Sequence, residues 1–173
     1  AVAGAAGGAG TGHHSSAPRP TEVAVARTAR GAGVEPPSTS GVGELPAPDL
    51  DRRPGSAPHR KTALEPGGLV TAVLLPAPPA GRARYRKVRD RASYAFALIS
   101  VGAVIQPDGT GRIAVGGVAH KPWRLEGAES ELPRGAQAVS QTLFADAKPT
   151  NENRFKLALA TRSLASVIEE ART

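Results

Sequence analysis

Cationic, aromatic and small residues meet at short spacing in one stretch of the sequence, Arg84-Tyr85-Arg86-Lys87-Val88-Arg89-Asp90-Arg91-Ala92-Ser93-Tyr94-Ala95. A second stretch follows downstream: Gly116-Gly117-Val118-Ala119-His120-Lys121-Pro122-Trp123-Arg124. Guanidinium and ammonium groups on a strand and its following turn can pair with phosphate or with an electron-rich ring. The same charges also suit a plainer purpose, since Lys and Arg on an edge strand block edge-to-edge pairing. The residues alone leave both readings open.

Other constellations are weaker. Residues 4–12 are rich in glycine, but no Gly-Lys-Ser/Thr follows and no strand and helix frame them, so they read as low complexity. His13, His14, His59 and His120 lack the spacing of a metal set, and no serine sits in a Gly-x-Ser-x-Gly elbow. Glu129, Glu131, Glu169 and Glu170 read as solvated helix charges. No catalytic nucleophile, acid–base pair or metal site stands out. The absence of Cys excludes disulfides, thiolate metal sites and any iron–sulfur cluster held by this chain. A formal charge of +7 brings nucleic acid into view, but Arg and Lys are scattered rather than gathered into a basic stripe.

The elements that would carry the first stretch lie in the second half. All six aromatics fall at or after Tyr85, whereas most of the 16 prolines fall before residue 80. With so few aromatics and no Met, a core must be built from Ala, Val, Leu and Ile. Residues 1–61 read as a poorly ordered Gly/Pro/Ala-rich region, with a marginal helix over 22–34 and order beginning near Leu64. Apolar, β-branched runs predict strands over 68–75, 82–89, 94–105 and 112–119. The third of these could be a helix by length, but Pro107-Asp108-Gly109 between two apolar runs favours a hairpin. A 3.6-residue period then predicts helices over 125–132 and 136–147, and a last one after Pro149-Thr150-Asn151. The expected fold class is α+β: a three- to four-stranded antiparallel sheet followed by three helices, preceded by a largely disordered N-terminal region.

No apolar run approaches the ~20 residues needed to cross a bilayer. Residues 1–12 have neither the basic start nor the leucine-rich centre of a signal peptide, and there is no initiator Met. The sequence therefore reads as a fragment or a processed product.

From about residue 62 onward the sequence resembles the C-terminal domain of the FAD-binding subunit of molybdenum hydroxylases, the xanthine dehydrogenase and carbon monoxide dehydrogenase superfamily. Its nearest flavour is that of bacterial aldehyde oxidoreductases. The resemblance rests on Leu64-Glu65-Pro66-Gly67 with Leu69-Val70-Thr71-Ala72-Val73, on Tyr85 to Ala95, and on Gly116 to Arg124. It continues in Ala147-Lys148-Pro149-Thr150 and Phe155-Lys156-Leu157. Thr21-Glu22-Val23-Ala24-Val25-Ala26 is similar to the stretch that closes the preceding FAD domain, so residues 21–55 read as a remnant of that domain's end and 62–173 as the C-terminal domain.

The resemblance implies a division of labour. A large subunit carrying molybdopterin oxidises substrate, a small subunit carries two [2Fe–2S] clusters, and the FAD subunit passes their electrons to an acceptor. It further implies that Val70 packs on the flavin, that Lys87 approaches the isoalloxazine, and that Glu22 stands at an FAD-contacting acidic position. The family's glycine loops for the FAD pyrophosphate have no counterpart, and Arg27, Arg30 and Arg53 replace leucines. The expected function is thus part of an electron-transferring flavoprotein subunit, in the cytoplasm or, for aldehyde oxidoreductase-type complexes, the periplasm. The alternatives are a flavin-free assembly module of the same complex and, further off, a basic nucleic-acid binder.

Overall fold

In the computed structural model, residues 33–35, 37–38, 41–42, 45–77 and 80–173 are described. The expected disorder of residues 1–20, most of the expected helix over 22–34, and Glu22 lie outside them. The end of that helix instead falls in β1 (Gly33–Glu35). Short strands β2 (Pro37–Ser38) and β3 (Gly41–Val42) pair with each other, and β4 (Leu45–Pro46) pairs with β1. One helical turn follows, α1 (Ala47–Leu50).

Order thus begins upstream of residue 64. A bridge between Asp51 and Thr62 explains how so proline-rich a segment is held. Arg52 N donates to Lys61 O (3.0 Å) and Ala63 N to Leu50 O (2.8 Å), so the backbone groups that flank the prolines still find partners.

The strand expected over 68–75 forms only as β5 (Ala72–Leu74), and it pairs with β1 rather than with the later strands. Gly67 at φ +82° and the tight turn from Glu65 O to Gly68 N (2.8 Å) bend the chain just before it. The main sheet therefore has three strands in the order β6 (Arg82–Val88), β7 (Ile99–Ile105), β8 (Gly111–Gly116), all antiparallel.

The β7–β8 hairpin forms where Pro-Asp-Gly predicted it. Gln106 N donates to Thr110 O (2.8 Å), Gly109 N to Gln106 O (2.9 Å), and Gly109 takes φ +83°. The apolar run from Tyr94 is a strand only from Ile99. Tyr94 sits at φ +50°, a left-handed conformation that no strand tolerates, so residues 94–98 remain a connection.

Four-residue α2 (Glu126–Glu129) and a 3₁₀ turn (Leu132–Arg134) replace the single helix expected over 125–132. Pro133 lies inside the 3₁₀ turn, near its start, where a missing N–H costs no bond. Helix α3 (Ala136–Leu143) ends four residues short of expectation, and the chain then relaxes into turns. Helix α4 (Phe155–Arg172) starts after a turn in which Asn153 Oδ1 accepts from Thr150 N (2.8 Å).

The helices cover one face of the sheet. Ile99, Val101, Ile105, Ile113 and Val115 meet Leu132, Val139, Leu164 and Val167, all buried. Each such side chain contributes about 1.5–3 kcal/mol on burial. The core is aliphatic, as the scarcity of aromatics required. Ser140 and Thr161 hydroxyls meet at 2.6 Å between α3 and α4. No helix among the described residues is long and apolar enough to cross a membrane.

Candidate functional site

Strand alternation sorts the basic stretch into two faces. Arg84 Nε donates to Glu170 O (3.2 Å) and Arg86 pairs with the Glu170 carboxylate (3.0 Å), so these two lie on the helix side and tie β6 to the end of α4. Tyr85 and Lys87 are on the opposite face. There Lys87 stands in register with Ser100 and Gly116, and Tyr85 with Gly102 and Ala114.

This opposite face has a floor of small residues. Ser100 is 2% exposed, and Gly102, Ala114 and Gly116 are also buried, while Lys87 is half-buried. β6 is an edge strand with its charges outward, so the plainer reading of the basic stretch holds alongside the functional one.

The structure describes two of the three sequence-expected site residues. Lys87 lies near the end of β6. Val70 is half-buried just before β5, in the other sheet, and β5 and β6 do not pair. Glu22 lies outside the described residues.

The 116–124 stretch is a closed loop at the Lys87 end of the sheet. Val115 and Trp123 exchange backbone hydrogen bonds (2.9 and 2.8 Å), which pinches the loop at its base. Gly117 takes φ +84°, and a Cβ there would stand 2.5 Å from Leu98 O, so only glycine fits. Lys156 Nζ donates to Gly117 O (2.8 Å) and Lys121 Nζ to Pro48 O (3.0 Å). Trp123 Nε1 donates to Leu143 O (3.0 Å), the last carbonyl of α3. Arg53 stacks over the Trp123 ring at 5.2 Å.

Sequence reasoning missed Glu129. Rather than a solvated charge, its side chain is 10% exposed and takes a two-pronged bond from Arg124 (2.7 and 2.8 Å). It also accepts from Ile113 N (3.0 Å), fixing α2 to the edge of β8. This hydrogen-bonded carboxylate holds the Arg124 guanidinium above its usual value, against the opposing pull of burial. The signal available in sequence was Arg124 and Glu129 five apart across a helix start. Among the described residues no group of three or more His, Cys, Asp or Glu could hold a metal.

An antiparallel sheet with helices on one face, a basic edge strand and a glycine-pinched loop define the flavoprotein C-terminal type of domain found in carbon monoxide dehydrogenases. The fold matches Cu,Mo-CO dehydrogenase in its cyanide-inactivated form, with a TM-score of 0.73 at 23% identity, over 87% of this chain and 56% of that one. It matches quinoline 2-oxidoreductase from Pseudomonas putida 86 with a TM-score of 0.70 at 22% identity, over 87% and 55%. At these identities the likeness is one of fold.

In sequence, the chain is 57% identical over 157 residues to the aldehyde oxidoreductase FAD-binding subunit PaoB of Escherichia coli (strain K12). The match takes in 90% of this chain and 49% of that protein, so the chain spans about half the length of its relative. By sequence, then, this chain is similar to an aldehyde oxidoreductase FAD-binding subunit over about half of that protein's length. No family model matches it.

Proposed function

We propose that this chain is the C-terminal part of the FAD-binding subunit of a molybdenum-containing aldehyde- or xanthine-type oxidoreductase. The observation that carries this reading is the 57% identity to an aldehyde oxidoreductase FAD-binding subunit over 157 residues, 90% of this chain. Its partners would be a molybdopterin-binding large subunit and a [2Fe–2S] small subunit, in a complex of the cytoplasm or periplasm. The same reading divides the chain at 61/62, and pairing of β1 with β5 spans that line.

The residues present fit the ring end of FAD. Lys87 offers a fixed positive charge at the end of a rigid strand. Lys87 is half-buried beside a floor of small residues, Ser100, Gly102, Ala114 and Gly116. Val70 adds an apolar contact and Glu22 an acidic one. FAD held there would supply electron transfer between the partner's clusters and an acceptor. Lys87 would stabilise the negative charge gained on reduction. For the pyrophosphate end, no glycine-rich turn joins a strand to a helix of two or more turns among the described residues.

The test is co-expression with the two partner subunits, followed by aldehyde-driven flavin reduction and potentiometry. Lys87→Gln is expected to make the flavin midpoint potential more negative, with Tm unchanged. An assembled complex whose flavin potential ignores that substitution would remove Lys87 from the site.

Tyr94 and Phe96, 84% and 73% exposed on the β6–β7 connection, favour a second reading, a flavin-free assembly module. Co-purification with both partners but without flavin would select it.

A further inference from the structure

Beyond the sheet face lies a cavity of about 640 Å³ that the flavin reading does not use. Its walls come from two distant segments: Arg53 and Pro54 from the bridge-held turn, and Val118, His120, Lys121 and Trp123 from the pinched loop. Its charged side chains, Arg53 and Lys121, are cations, His120 adds an imidazole, and no acidic side chain lines it. The remaining walls are apolar. This pairing of an apolar cleft with a few convergent polar groups is the usual make-up of a small-molecule site.

The cations are held rather than loosely presented. The Arg53 Cζ stands over the Trp123 ring, 5.2 Å from its centroid, and a guanidinium held by such a contact still carries forked N–H groups that suit a planar oxyanion. Lys121 is anchored by one bond to Pro48 O (3.0 Å), and an ammonium carries three donors. The loop that carries His120 and Lys121 is fixed at its base by the Val115–Trp123 exchange and at Gly117 by Lys156.

We propose that this cavity binds a small organic oxyanion. Its phosphate or carboxylate would lie between Arg53 and Lys121, and its apolar body against Pro54, Val118 and the Trp123 side. The site stands independently of flavin binding.

Trp123 is the chain's single tryptophan and touches Arg53, so its fluorescence reports on occupancy directly. The experiment titrates the chain with AMP, benzoate and inorganic phosphate at constant ionic strength, reading Trp123 emission and, in parallel, saturation-transfer NMR of the probe. A saturable response to AMP or benzoate is expected, and which of the two answers separates phosphate from carboxylate. Losing one charge-assisted contact should weaken it about tenfold, so Arg53→Gln is expected to do so. Arg112→Gln, an exposed cation at the other end of β8, should leave the affinity unchanged.

NMR keeps the test valid if removal of Arg53 silences the fluorescence change, and circular dichroism checks that the variants fold. No saturable signal by either method, or equal weakening by both substitutions, would overturn the site. Inorganic phosphate binding as tightly as the organic probes would overturn the organic assignment.

Discussion

At the scale of single residues, two carboxylates hold local structure, and only one of them was legible in the sequence. Glu129 satisfies a part-buried guanidinium and a strand-edge N–H together. Removing it leaves the Ile113 N–H without that acceptor and Arg124 with only the longer ion pair to Glu126 (3.7 Å). Glu129→Ala is expected to cost about 2 kcal/mol, less than a fully buried pair because Arg124 keeps 25% of its side-chain exposure. Urea midpoints measure this, and a loss below about 0.5 kcal/mol would reduce the pair to an ordinary surface bridge.

Asp108 makes a pH-dependent contribution. Its carboxylate accepts from Thr110 Oγ1 (2.7 Å) and Thr110 N (2.9 Å), and these bonds lower its pKa. A depressed folded value means the stabilisation is complete above the unfolded value and is lost as the pH falls through the folded one. The stability gap between the wild type and Asp108→Ala should therefore narrow below about pH 4, as the carboxylate protonates. Asp108 was legible because Pro-Asp-Gly is a local turn signal. Glu129 was not, because its partners come from a different strand and a loop.

Elements were legible in proportion to how locally they are determined. The hairpin, the aliphatic core and the burial of Val139, Leu164 and Val167 follow from turn chemistry and period. Among the expectations that were off in extent, three show a long-range partner or a backbone constraint deciding the end. β7 starts late because Tyr94 turns left-handed, and β5 is short because a glycine turn precedes it and β1 is its partner. α3 stops at Leu143, whose carbonyl is taken by the Trp123 indole.

The pinched loop gives a prediction at this scale. Gly117→Ala must either push Leu98 O away or abandon φ +84°, and either change disturbs the loop that carries Lys121 and His120. A penalty of about 1–3 kcal/mol is expected. It should come with faster amide exchange through residues 116–122, while the β6–β7 amides stay protected. Uniform loss of protection across the sheet would show that the loop is part of the core rather than an appendage to it.

Across the whole molecule, the flavin reading has unequal support at its two ends. The sheet carries Lys87 on a strand fixed by seven paired residues from Arg82 to Val88, so on that reading the ring end would have a well-held cation. The pyrophosphate end is different. A diphosphate needs several converging N–H donors, commonly a glycine-rich turn leading into a helix, because a dispersed pair of charges in water is worth little. Among the described residues the strand-to-helix connections supply no such turn. A single lysine and an apolar contact contribute only a few kcal/mol together, short of the roughly 8 kcal/mol that micromolar retention requires.

The chain purified alone should therefore elute with far less than stoichiometric flavin, and FAD titration should give a dissociation constant weaker than about 100 μM. Fusion to the part of the relative's sequence outside the match should give tight binding, and Lys87→Gln in that longer chain should change the flavin's potential more than its retention. Flavin absorbance near a 1:1 ratio in the chain alone would mean that residues outside those described supply the diphosphate contacts.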